Sequence, residues 1–139
     1  MPLVKRGDIF HDSQYLYPAG NIEQKYIIVL NKNHLPTQPV VAIPAHTDSS
    51  KRSYHPGCNH RSLIFLLKSK EDFFPNDTKL QIFILNNAGF ISESEFILKK
   101  DKGTIQYCSC LRQETAGRLM KCVKDLKDDV TQYLHQYLF

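Results

Sequence analysis

Five short apolar runs, rich in β-branched residues and separated by Gly, Pro, Asn and Asp, are spread over the first two-thirds of this chain. Such runs are too short for helices and are bounded by turn formers, so they predict strands. They are residues 7–11 (GDIFH), 25–31 (KYIIVLN), 39–46 (PVVAIPAH), 62–68 (SLIFLLK) and 79–86 (KLQIFILN). In the last, Leu80, Ile82 and Ile84 alternate onto one face. Asn86-Asn87-Ala88-Gly89 reads as a turn, the following GFISESEFILKK as a short extended or helical piece, and residues 103–111 as one more strand. Several short strands at this spacing predict a small barrel or a sandwich.

The pattern changes near Gln113. Leu119, Cys122, Val123, Leu126, Val130, Tyr133, Leu134 and Tyr137 recur at intervals of three and four, the signature of an amphipathic helix. The expected fold is therefore mainly β, a strongly bent sheet with a C-terminal helix across it or at a subunit contact. A length of 139 residues predicts one domain spanning 1–139. No repeat, low-complexity tract or linker interrupts it. A 42% hydrophobic share with eight Phe and seven Tyr is enough for a core and excludes general disorder.

The net charge of +4 permits an anionic partner such as nucleic acid without demanding one. No apolar stretch approaches a membrane span, and MPLVKRGDIFHD lacks a signal-peptide core. The expectation is a soluble, cytoplasmic protein without membrane contact. Cys58, Cys108, Cys110 and Cys122 do not form a spaced disulfide framework and are expected to be reduced and partly buried.

Four stretches carry candidate chemistry. In Lys5-Arg6-Gly7-Asp8, Gly7 allows a tight turn and Asp8 can accept backbone N–H groups, so the turn is either a strand entry or a basic lip over a phosphate groove. The loop expected from Asp12 to Gln24 carries Tyr15 and Tyr17, which either roof the core or stack on unpaired bases. IPAHTDSSKR, residues 43–52, gathers His46, Thr47, Asp48, Ser49 and Ser50 ahead of Lys51 and Arg52. An imidazole is the usual acid or base near neutral pH, and hydroxyls and cations at a strand end can hold a phosphate. The bland alternative is a solvated, capped turn. HPGCNH, residues 55–60, places His55, Cys58 and His60 together but lacks the four paired ligands of structural zinc, so no metal is assigned. Arg118, Lys121, Lys124 and Lys127 form a basic ridge interrupted by Asp125, Asp128 and Asp129, which reads best as a solvated helix face.

Read together, VKRGDIF, the glycine-containing loop before KYIIVL, and VVAIPAHT resemble the PemK/MazF family of toxin endoribonucleases in order and spacing over about residues 3–50. The resemblance is looser from residue 60 onward. It implies an SH3-like barrel and metal-independent cleavage of single-stranded RNA, with the 2′-hydroxyl attacking the adjacent phosphorus and no cofactor. By position, Thr47 falls on the family's catalytic threonine, and Lys25 falls where the family has its catalytic arginine, with Tyr26 in place of the usual proline. Lysine keeps the charge but loses the planar fork that binds phosphate bidentately. The resemblance thus implies Thr47 and Lys25 at the centre, with Arg6, His46 and Arg52 supporting. Joined to the residue readings above, it makes Thr47, Lys25 and His46 the catalytic candidates and Lys5, Arg6, Tyr15, Tyr17, Ser49, Ser50, Lys51 and Arg52 the RNA-binding ones. It also implies a homodimer and an antitoxin protein seated in the groove. Two other readings stand beside it: a relative with impaired catalysis that binds nucleic acid or a partner protein, and a metal-dependent hydrolase using His55, Cys58 and His60.

Overall fold

The computed structural model describes residues 3–17, 20–47, 54–67 and 81–139. Eight antiparallel strands form a single bent sheet: β1 (Asp8–Leu16), β2 (Ile22–Val29), β3 (Val40–Thr47), β4 (Gly57–Asn59), β5 (Ile64–Leu67), β6 (Gln81–Ile84), β7 (Gly89–Ile91) and β8 (Ile105–Cys110). Their order is β4-β5-β6-β3-β2-β1-β8, with β7 also on β3. The bend falls within β3, where residues 40–42 pair with β7 and residues 45–47 with β6. Among the described residues no pairing joins β4 to β8, so the sheet is open as observed.

All the expected strands are present, and the tyrosine loop is mostly strand: β1 runs on to Leu16 and β2 begins at Ile22. The short piece after the turn divides into β7 and a helix, α1 (Glu93–Asp101). Ser92 sets its start by accepting the Glu95 N–H. In β6 the alternation is real, yet the main core lies on its other side. Phe83 and Leu85 enter that core, while Ile82 joins Ile64 and Leu66 in a small satellite cluster.

Alternation along the central strands sorts the side chains onto two faces. Ile9, Ile28, Leu30, Val41 and Ile43 pack beneath α2 (Gln113–Asp125) with Leu119 and Val123. Phe10, Ile27, Val29, Val40 and Ala42 pack beneath Phe96 of α1. The helical periodicity that continues to Tyr137 is broken after Asp125. There follow two 3-10 turns and a last short helix, α3 (His135–Leu138). Asp128-Asp129 and β-branched Val130-Thr131 are poor helix formers, and Val130 is extended. His135 Nε2 lies 2.9 Å from the Lys127 carbonyl and 3.1 Å from that of Val130, donating into the bend.

The cysteine expectation holds only by halves, since the more buried pair is oxidised and the reduced pair is exposed. Cys58 and Cys122 form a disulfide that ties β4 to α2, and Cys108 and Cys110 are free but exposed on edge strand β8. A sequence separation of 64 residues hid the pair. Only the pairing of β4 with β5, and of α2 with the core, brings the two sulfurs together.

Candidate functional site

The turn at Lys5-Arg6-Gly7-Asp8 is built for the fold. Gly7 has φ +91°, and its N–H donates to the Val29 carbonyl at 2.8 Å. A Cβ there would sit 3.5 Å from that of Ala116 in α2. Buried Asp8 accepts the Lys5 N–H at 2.8 Å, as a carboxylate closing a turn should. Arg6 donates from Nε to the Leu30 carbonyl (2.9 Å) and from Nη2 to that of Leu138 (2.6 Å). Its guanidinium therefore joins the end of β2 to α3, and burial lowers its pKa. Leu30 is five residues along from Lys25, roughly 17 Å of extended chain, so Arg6 is not beside Lys25. Lys5 is exposed.

The other end of the first hairpin is different. Lys25 in β2 and His46 in β3 project from the face that α1 covers, since each continues the alternation of Ile27 and of Ala42. Lys25 Nζ lies 3.2 Å from His46 Nδ1. Because an ammonium only donates, Nδ1 accepts and the proton of the neutral ring sits on Nε2. That Nε2 is buried and has no hydrogen-bond partner among the described residues. Burial first, then the Lys25 charge, hold the His46 pKa below its ordinary value against a smaller opposite pull from Glu23. The ring is thus neutral at neutral pH.

Tyr17 completes the group. Lys25 Nζ lies 5.9 Å from its ring centroid, within the range of a cation–π contact, and the His46 ring is 6.4 Å away. Tyr15 packs edge-on against Tyr17 at 5.1 Å. The Tyr17 hydroxyl is also buried and unpartnered among the described residues. Burial, Glu23 and Tyr15 push its pKa up to about 12, so it remains a neutral donor.

A cleft of about 520 Å³ opens beside these tyrosines, lined also by Asn86, Asn87, Phe90 and Lys99. Asp12 forms its inner wall. Fully buried, it accepts from Lys99 Nζ at 2.8 Å and from the Gln14 N–H at 2.9 Å, where a register shift bulges β1 away from β2. Phe90 is 56% exposed, lines part of the cleft and packs against Tyr133 at 5.3 Å. The sequence pointed to Tyr15, Tyr17, Lys25 and His46, and the structure brings these four together. It missed Asn86, Asn87 and Phe90, which had been read only as a turn and its sequel. Lys99 carried no signal, because only the crossing of α1 over the sheet places it at Asp12.

Thr47 is the last residue of β3, adjacent to His46 and paired in register with Gln81; its side chain lies outside the described part. Ser49, Ser50, Lys51 and Arg52 lie outside the described residues altogether. The metal reading of His55, Cys58 and His60 loses its thiolate, since Cys58 is bonded to Cys122. His60 instead stands 3.6 Å from Asp125, and His55 Nδ1 lies 3.1 Å from the Pro56 carbonyl. No protein-family model matches the chain, and no curated protein matches it in sequence.

Chemically, the Lys25–His46–Tyr17 group gathers donors around a cation, with the Glu23 carboxylate near enough to act on both His46 and Tyr17. It suits an anion such as a phosphodiester, with the partly buried Tyr17 ring beside it.

Proposed function

We propose that this chain is a metal-independent endoribonuclease acting on single-stranded RNA, of the PemK/MazF type. In that reading the open sheet is the described part of an SH3-like barrel. The observation that carries the proposal is the 3.2 Å contact between Lys25 Nζ and Nδ1 of a neutral His46 whose Nε2 has no partner among the described residues. A scissile phosphate at Lys25 draws the ammonium off the imidazole and frees the Nδ1 lone pair. His46 then takes the 2′-hydroxyl proton as the O2′–P bond forms. The P–O5′ bond breaks, and the 5′-oxygen takes a proton from Lys25 Nζ. His46 hands its proton back to Lys25, leaving a 2′,3′-cyclic phosphate and a 5′-hydroxyl. Thr47, next along β3, is the position at which the family resemblance places a further catalytic hydroxyl.

A homodimer with RNA crossing both subunits, an antitoxin protein in the groove and a cytoplasmic setting belong to the same reading. The Cys58–Cys122 bond sits uneasily with that setting, where thiol buffers keep cysteines reduced.

A second reading, a groove that binds RNA without cutting it, is favoured by one residue. Lys25 cannot grip phosphate with the two parallel N–H bonds of an arginine. One experiment separates the two: incubation with mixed-sequence single-stranded RNA in EDTA, for the native protein and for His46→Ala and Thr47→Ala. Native cleavage to 2′,3′-cyclic ends, slowed about 100-fold or more by His46→Ala, is expected of an enzyme with this base. Absence of product with salt-sensitive binding retained gives the second reading. Absence of both removes RNA from the proposal.

A further inference from the structure

Gly117 lies inside α2, where a glycine is about 1 kcal/mol less favourable than alanine. No packing demands it: a Cβ there would meet nothing within 4 Å. Its absence of a side chain instead leaves open the floor of a second cleft, of about 360 Å³, on the face of the sheet opposite Lys25 and His46. Phe139, 40% exposed, gives that floor its apolar surface, above Met120 and Leu138, which are 9% and 1% exposed. Arg6, Lys32, Lys121 and Lys124 surround it, and no Asp or Glu side chain is among the lining residues. Arg6 is held in place by its two carbonyl partners, which fixes one positive charge at the edge of the cleft. Lys121 and Lys124 stand three apart on the same helix face and carry two more.

From this geometry we infer that the cleft over Gly117 is a docking site for an acidic protein segment that inserts one bulky apolar side chain. The glycine notch and Phe139 receive the side chain, and Lys32, Lys121 and Lys124 meet carboxylates on either side of it, beside the fixed charge of Arg6. The apolar floor is what favours a peptide over nucleic acid. A phosphate backbone gains nothing from Phe139, whereas an apolar anchor set in a notch and rimmed by charge is how hot spots are built. The basic ridge that the sequence reads as a merely solvated helix face thereby divides, with Lys121 and Lys124 belonging to the cleft and Lys127 outside it.

The test is fluorescence anisotropy with a short labelled peptide carrying a Phe-Leu pair between Glu-Asp flanks. Binding to the native protein should weaken in high salt, and should weaken about tenfold when the Phe-Leu pair becomes Ala-Ala. Gly117→Met, which fills the notch, and Lys121→Glu with Lys124→Glu, which invert the rim, should each loosen it about tenfold or more. Gly117→Met should melt no lower than the native protein, since it replaces a helix-interior glycine in open space. An undiminished affinity in Gly117→Met, or no binding by the native protein up to millimolar peptide, overturns the proposal. So does a single-stranded RNA that displaces the peptide and is itself weakened equally by Gly117→Met, which would make the cleft a nucleic-acid site.

Discussion

The two faces of the sheet treat their polar groups in opposite ways. Beneath α2, the charged group that enters the packing has protein partners: Arg6 is spent on the carbonyls of Leu30 and Leu138, and a disulfide fastens β4 to the helix. Beneath α1, Asp12 and Lys99 satisfy one another, but next to them His46 Nε2 and the Tyr17 hydroxyl are buried with no partner among the described residues. A buried donor without an acceptor costs about 1–3 kcal/mol, so natural chains rarely keep two in one place. The α2 face is where this protein gains stability from its polar groups. The α1 face is where it gives some up, and unpaired donors beside a cation are what an anionic ligand would satisfy.

That comparison can be broken at its strongest point first. Opening the Cys58–Cys122 bond frees a loop of 64 residues in the unfolded chain, which on chain-entropy grounds is worth about 4 kcal/mol. Urea unfolding of the native protein with and without reductant, and of Cys58→Ala with Cys122→Ala, should show that loss. The Lys25–His46 site should stay intact, so RNA cleavage or binding per folded molecule should be unchanged. A loss of ligand activity that outruns the loss of folded protein would mean that the two faces are coupled after all. Arg6→Ala comes next, at about 2 kcal/mol, since it strands the buried Leu138 carbonyl and removes two charge-assisted bonds. If Arg6 belonged to the ligand groove, this variant would weaken RNA affinity more than stability; the reverse is expected.

How far these features could be read in the sequence follows the range of the interactions behind them. Strands announce themselves as short β-branched runs between turn formers, and β2, β3 and β5 fall where the apolar runs stand because those residues are buried on both faces of the sheet, whereas β8 buries only Ile105. Lys25 and His46 were legible as separate candidates, and their pairing follows from a β2–β3 register set by Ile27 opposite Pro44. Arg6 was legible only as a cation. Its partners, Leu30 and Leu138, lie 24 and 132 residues away, and no local pattern distinguishes an arginine that holds carbonyls from one that holds phosphate. The helix that stops at Asp125 was overestimated for a related reason. Apolar spacing of three and four survives through 3-10 turns, so periodicity continued past the point where Asp128, Asp129 and Val130 end the α-helix.

The smallest effect is the one that addresses the α1 face most directly. His46 is held below the ordinary histidine pKa by burial and by Lys25, so folding favours its neutral form. The unfolded chain binds a proton near pH 6.5. Between that pH and the lower folded value the unfolded state carries more protons, so stability rises with pH across this window and is lost as pH falls through it. Subtracting the pH–stability curve of His46→Gln from that of the native protein should isolate this slope. It should be shallow, because His46 is only half-buried and solvent screens part of the Lys25 charge. The same group should set the acid limb of kcat/KM for RNA cleavage, which reports the free protein, with kcat/KM falling only below pH 6.5, where the imidazole that must accept the 2′-hydroxyl proton becomes occupied. An acid limb at or above the ordinary histidine value would place the catalytic base elsewhere. His46 would then remain a donor that binds phosphate, and the α1 face a surface for holding RNA.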